Sequence, residues 1–219
     1  MSVDLYESRR LEGVLGKSLH PGGLKLTERA ARIAQLNEGS KVLDIGCGSG
    51  ISDLFLACKY GCNVTGIDPS KMSLPKIGGK KVQFLRANAE RLPFDSEVFD
   101  VVLSECSFSP IPKKDRAARG IWRVLKSGGK FLFHDIFLKE GDGGDSPIPC
   151  IRGAMTRIGY LRLLEDAGFQ EDRFEDHSSE LKAVCYKIQA NPELSFLLSR
   201  AETRRIKIGY GLISAVKRG

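Results

Sequence analysis

Lys41-Val42-Leu43-Asp44-Ile45-Gly46-Cys47-Gly48-Ser49-Gly50 is the stretch whose reading decides the fold. The aliphatic run Val42, Leu43, Ile45 predicts a strand. Glycines at alternate positions, Gly46, Gly48 and Gly50, predict a tight turn, and 51–60 has the periodicity of a helix. Strand, turn and helix in that order open a nucleotide-type α/β fold. Three glycines so close together clear side chains from a place where backbone meets a ligand, and the helix behind them aims free N–H groups at it. A βα loop that binds nothing is the plainer alternative, and the segments that follow favour the ligand.

Downstream, 63–68 reads as a short strand ending in Asp68, about 20 residues beyond the glycines, where an acid of a doubly wound fold accepts hydrogen bonds from ribose hydroxyls. A third strand is expected over 82–86. A fourth, buried strand over 99–104 runs into Glu105-Cys106-Ser107. Ligands of open α/β sheets lie beyond the carboxyl ends of the strands, which puts this tripeptide beside the ligand. A helix over 114–125 ends at Ser127-Gly128-Gly129 before a fifth strand over 130–137. The glycine-, proline- and acid-rich 139–149 leaves a strand end on the ligand side and reads as a substrate loop, with exposed linker as the other reading. Beyond it come a helix over 155–167, a sixth strand over 169–174, and helices over 178–190 and 192–203. The chain closes with an edge or penultimate strand over 206–216, expected to run antiparallel. Upstream, a charged helix over 3–15 and a loop containing His20-Pro21-Gly22-Gly23 lead to a helix over 24–36, expected to close at Gly39.

A length of 219 residues, 42% hydrophobic and 28% charged, suits one globular α/β domain. We read 1–40 as an N-terminal helical cap, 41–137 as the cofactor-binding core, and 138–219 as substrate-side loop, helices and closing strands. The net charge of +7 raises the question of an acidic partner, but the basic residues are scattered and no aromatic residues alternate with them. Nucleic acid is therefore disfavoured as a partner. Six cysteines are too few for a disulfide scaffold, and Cys58 and Cys62 lack a second pair for zinc, so no metal is expected. Free thiols, a charged N-terminus and no run of about 20 apolar residues predict a cytoplasmic protein without a membrane span.

The glycine spacing excludes two common nucleotide sites. A dinucleotide fold expects Gly-x-Gly-x-x-Gly, and here the third glycine comes one position early; no Gly-Lys-Ser/Thr follows for a triphosphate. The chain instead resembles the class I S-adenosylmethionine-dependent methyltransferases. The resemblance rests on Val42 to Gly50, Gly66-Ile67-Asp68-Pro69-Ser70, Ala87 to Phe94, Phe99-Asp100-Val101-Val102 and Arg123 to Gly129, five motifs in the family's order. It implies a Rossmann-like fold, a seven-stranded mostly parallel sheet with helices on both faces and its last strand antiparallel.

The same resemblance implies S-adenosyl-L-methionine as cofactor. Asp44, with the backbone at Gly46, Cys47, Gly48 and Gly50, would hold its methionine end, and Asp68 its ribose. Pro69 and Met72 would lie beside the adenine, and Asn88 and Ala89, with Glu90 in the same set, would meet the adenine edge. Ser104 and Glu105 would face the sulfonium. Asn88 replaces an aspartate frequent in the family, keeping an acceptor but losing the charge.

No base-methylating Asn-Pro-Pro-Tyr signature follows the fourth strand, so the chain looks more like the small-molecule subgroup. Glu105 and His134 are candidate general bases for an acceptor nucleophile, His134 having an ordinary bond to Asp135 as its alternative. His20, Cys106 and Cys150 are candidate substrate contacts, and the two thiols raise the further idea of a soft metalloid. Methylation of RNA or protein, and a non-catalytic S-adenosylmethionine-binding module, are the alternatives.

Overall fold

The computed structural model describes residues 12–16, 18–70, 81–141, 143–146, 148–199 and 206–218. Lys41–Ile45 forms β1, and its alternation sends Val42 to one face of a sheet and Leu43 and Ile45 to the other. β2 (Asn63–Asp68) and β3 (Val82–Arg86) add in parallel on one side; β4 (Phe99–Glu105) and β5 (Leu125–Leu138) add in parallel on the other. The chain thus leaves β1 in one direction and returns to its opposite flank, which opens a crevice at the carboxyl ends of β1 and β4.

β6 (Met155–Thr156) is a two-residue pairing on Phe137 and Leu138. β7 (Phe169–Asp176) and β8 (Ile208–Lys217) complete the order β3-β2-β1-β4-β5-β8-β7, with β8 inserted antiparallel to both its neighbours. The expected seven strands are present with β6 as an eighth. β5 starts five residues before the expected 130, because Leu125 pairs with Phe99 ahead of an irregularity at the glycine turn.

Helices cover both faces. α2 (Leu24–Ala34) and α3 (Ile51–Tyr60) lay Ala30 and Leu56 over Val42, Val64, Val101 and Leu132. α4 (Lys114–Val124) and α6 (Arg157–Asp166) lay Ala117, Ile121, Tyr160 and Leu164 over Leu43, Val102, Phe131 and Phe133. Phe108, Phe131, Phe133 and Tyr160 touch through their rings at centroid separations of 5.0 to 6.3 Å, in the range of favourable aromatic pairs. Above the carboxyl ends sit α1 (Glu12–Leu15), α5 (Pro149–Arg152), α7 (Ser178–Ala190) and α8 (Phe196–Ser199), whose Val14, Val184, Ile188 and Leu197 form a separate apolar cluster.

Several expected boundaries move. α2 stops at Ala34, and its end is closed at Gln35, not Gly39: Gln35 takes a left-handed φ of 56° while its N–H reaches Arg32 and the Leu36 N–H reaches Ala31. That pair of bonds is a Schellman closure carried by a non-glycine residue. α6 starts at Arg157, where Thr156 caps it by accepting from the Gly159 N–H at 3.1 Å. Of the helices expected over 3–15 and 192–203, only Glu12–Leu15 and Phe196–Ser199 fall within described helix; 1–11 and 200–205 lie outside the described residues. Among the described residues no helix is long and apolar enough to cross a membrane.

Candidate active site

At the crevice between β1 and β4 lies a pocket of about 350 Å³. Its floor is Ile45 to Ser49, one side is Ile67 to Ser70 with Ala87 to Ala89, and the other is Glu105 to Ser107. Ser18, Leu19, Pro110 to Pro112 and Pro149 complete the lining. The glycine turn has to be glycine for two reasons. A Cβ on Gly46 would sit 2.3 Å from Ser107 Cβ, and the Ser107 hydroxyl donates across this contact to the Ile45 carbonyl at 2.7 Å. Gly48 has φ of +50°, which glycine adopts without strain, and a Cβ built there meets nothing within 4 Å, so the space above it is open to the pocket.

Asp68 ends β2 on the pocket wall. Its two oxygens accept from the Gly48 N–H at 3.1 Å and the Ser70 N–H at 2.8 Å, which fixes the carboxylate and leaves each oxygen a further acceptor position.

Glu105 ends β4 with its side chain 6% exposed. Thr27 Oγ1 donates to its oxygens at 2.9 and 3.1 Å, Ser52 Oγ donates to Oε2 at 2.7 Å, and His20 Nε2 lies 3.3 Å from Oε2. Burial by itself would raise the carboxyl pKa; the charge and hydrogen bond of His20, then His134 and the Ser52 hydroxyl, outweigh it and hold the group down to about 2. Burial opposes charge on His20 too, yet the Glu105 carboxylate and the Pro21 carbonyl leave its pKa raised. Glu105 is therefore a buried, ionised group on the pocket wall, and a weak proton acceptor near neutral pH.

Beneath the floor, Asp44 and Asp53 are 3% and 0% exposed. Asp44 Oδ1 and both Asp53 oxygens find no hydrogen-bond donor among the described residues. Burial and mutual repulsion push Asp44 well up, and burial carries Asp53 to about 7. So deeply buried, the two carboxyls repel each other when both are ionised, and their neutral forms are favoured. A ligand bringing positive charge and hydroxyl groups fits this donor set: fixed acceptors at Asp68, a clear space at Gly48, and orphaned acid oxygens below the turn.

The structure brings Gly46, Cys47, Gly48, Asp68, Pro69, Asn88, Ala89, Glu105 and Cys106 together on the pocket wall. Asp44 is beneath it, and Gly50 caps α3. Ser104 is fully buried with its hydroxyl on the Ile45 carbonyl at 3.3 Å, and Glu90 accepts from the Lys113 N–H at 3.1 Å; neither forms the wall. Met72 lies outside the described residues.

Three expectations are corrected. His134 is fully buried, forms no pocket wall, and is pushed down to about 4 by burial, so it is not placed as a general base. Nor does it bond Asp135: neighbours on a strand face opposite ways, and Asp135 instead accepts from the Phe108 and Ser109 N–H groups at 3.0 and 2.7 Å. His20 stands behind Glu105 and not against the pocket. Cys150 lines a different, smaller cavity that shares Cys106 with the first. Burial raises the Cys106 thiol well above its usual range, and among the described residues no three His, Cys, Asp or Glu side chains group as metal ligands. The sequence reading passed over Thr27, Ser52 and Asp53, which are polar residues inside otherwise ordinary helices.

A family described as a methyltransferase domain matches residues 43–133. An uncharacterized protein of Haemophilus influenzae is 31% identical over 71% of this chain and 69% of its own length. The sarcosine/dimethylglycine N-methyltransferase of Halorhodospira halochloris is 34% identical over 72% of this chain, which spans 61% of that enzyme. In fold, the chain is similar to Haemonchus contortus phosphoethanolamine N-methyltransferase 2 in complex with S-adenosyl-L-methionine. The TM-score is 0.78 at 20% identity, covering 95% of this chain and 56% of that one.

Proposed function

From a chain that belongs to the class I S-adenosylmethionine-dependent methyltransferases, we propose an enzyme that methylates a small molecule in the crevice between β1 and β4. The observation that carries the small-molecule reading is the lining of the pocket, where Ser18, Leu19, Pro110 to Pro112 and Pro149 add apolar and neutral side chains beside the glycine turn. A polymer chain needs an open, basic approach. Among the described residues no lysine or arginine lines the pocket, which argues against RNA or an acidic protein as acceptor.

S-adenosylmethionine, when bound, supplies a methyl group on a sulfonium whose departure leaves neutral S-adenosylhomocysteine sulfur. Little side-chain chemistry is then required of the protein, and its residues bind and align. Asp68 accepts from the ribose hydroxyls, Asn88 and Ala89 meet the adenine edge, and the Gly46 to Gly48 backbone with Asp44 holds the methionine end. Glu105 places a permanent negative charge beside the cationic donor. The donor's positive charge leaves the sulfur as the methyl group moves, so Glu105 favours the bound donor over the transition state and contributes to affinity, not to the chemical step.

Isothermal titration of the full chain with S-adenosylmethionine tests the donor site. Asp68→Ala is expected to weaken binding by about 10- to 100-fold, the loss of two charge-assisted hydrogen bonds; equal affinity takes Asp68 out of the ribose role. Release of S-adenosylhomocysteine, screened over small molecules, RNA and protein, tests the acceptor. Turnover on RNA or protein alone overturns the small-molecule reading, and binding with no turnover on any acceptor favours the non-catalytic module.

A further inference from the structure

Above the donor pocket lies a second cavity of about 80 Å³, between the carboxyl end of β5 and the cap formed by α1, α7 and α8. Ile136, Cys150, Leu181, Val184 and Ile188 are among its walls, and none of its lining side chains, among the described residues, carries a charge. Leu19 and Cys106 line both spaces, so the two cavities adjoin at these residues, called the neck below.

The backbone at this neck is unusual. Only four non-glycine residues among those described have positive φ, and two of the four are Leu19 and Cys106, each at 55°. A bulky side chain rarely adopts this conformation, and such strain persists where the surroundings enforce it. Here the enforcing contacts are visible: the Cys106 N–H donates to the His134 carbonyl at 2.8 Å, the Cys106 thiol donates to Tyr210 Oη at 3.4 Å, and the Leu19 N–H donates to the Gly16 carbonyl at 3.2 Å. The two strained residues sit at the boundary between the apolar chamber and the donor pocket.

We propose that the acceptor is an uncharged molecule whose short branched alkyl end fills the apolar chamber and whose nucleophile emerges at the Leu19–Cys106 neck, where it would take the donor's methyl group as the methyl–sulfur bond breaks and release its own proton to solvent. This deepens the small-molecule methyltransferase reading and rests on it. An anionic acceptor is disfavoured on two counts. Neither space is lined by a lysine or arginine among the described residues, and the ionised Glu105 stands next to the neck. A carboxylate or phosphate would lose its hydration there without gaining a partner. Sarcosine and phosphoethanolamine, which appear in the names of similar proteins, are therefore the wrong chemistry for this chamber. An alkyl group gains the transfer energy of its buried surface and gives up nothing.

The test uses 3-methylbutan-1-ol as the probe, with saturation-transfer NMR on the full chain, with and without S-adenosylhomocysteine. Calorimetric titration of S-adenosylhomocysteine is run in parallel. The alcohol is expected to show transfer at its methyl groups; sarcosine and phosphoethanolamine are expected to show none and not to displace it. Val184→Phe fills the chamber and is expected to weaken alcohol binding by at least about tenfold while changing nucleoside affinity less than about twofold. Cys185→Phe, on the partly exposed side of the same wall, is the second variant should the first fail to fold. Absence of alcohol binding, unchanged binding in the foldable variant, or displacement by either zwitterion overturns the proposal. Loss of nucleoside binding by the wild type would instead strike the methyltransferase reading, while the alcohol measured without nucleoside still decides the chamber.

Discussion

Glu105 ties together three parts of the chain that are far apart in sequence: Thr27 on α2, Ser52 in the first turn of α3, and His20 in the preceding loop. Glu105→Gln keeps the shape and removes the charge. The Thr27 and Ser52 hydroxyls can reorient toward an amide, but His20 loses its counter-charge. The His20 titration is expected to move to lower pH by NMR, and S-adenosylmethionine affinity to fall about tenfold, near 1.4 kcal/mol. Unchanged affinity would remove the electrostatic role assigned to Glu105. At this scale the sequence revealed the acids at strand ends, Asp68 and Glu105, because a doubly wound sheet assigns those positions to the ligand side before any side chain is placed. It did not reveal that His20 serves Glu105. That contact crosses 85 positions by chain topology, and a histidine in a Pro-Gly-Gly loop carries no mark of its partner.

At the scale of the elements, hydrophobic periodicity was a good guide where an element packs on the sheet and a poor one where it caps the crevice. β2 and α3 match their expected spans, and among the capping helices the 13-residue α7 does too, being long enough to show a period. β6 and α5, with two and four residues, are too short to show a period, and they are set by what β5 and the 139–149 segment leave uncovered. The end of α2 differs from expectation because turn chemistry points to glycine, and the nearest one, Gly39, lies four residues beyond Gln35. The exposed Gln35 holds a left-handed conformation that glycine adopts without strain. Gln35→Gly is therefore expected to stabilise the protein by about 0.5–1 kcal/mol, raising Tm by about 2–4 °C in a thermal melt. A lower Tm would show that the unfolded chain's gain in freedom outweighs the relieved strain.

Across the whole molecule, buried acids of opposite tendency make stability depend on pH. Asp44 and Asp53 have raised pKa values, so their stabilising contribution is complete below the ordinary aspartate range and is lost as pH rises from there toward their folded values, about 7 for Asp53. His20, also raised, likewise loses its contribution as pH rises above its ordinary 6.5. Glu105 has the reverse sign: its contribution is present above 4.5 and is lost as pH falls toward about 2. On these groups the protein without donor is thus expected to be most stable near about pH 4, where Glu105 is ionised and the two aspartates still keep their protons, and to melt at progressively lower temperature toward pH 8. A cationic donor above the glycine turn reverses the preference of the aspartates, since it favours their ionised form. Its binding should release a proton and tighten as pH rises through 7, so the Tm gap between protein with and without S-adenosylmethionine is expected to widen from pH 5.5 to pH 8. Asp53→Asn removes one of the two acids and should flatten both trends. A gap that stays constant with pH in the wild type would mean that the buried acids and the donor are not coupled, and that the methionine end lies elsewhere than over Asp44.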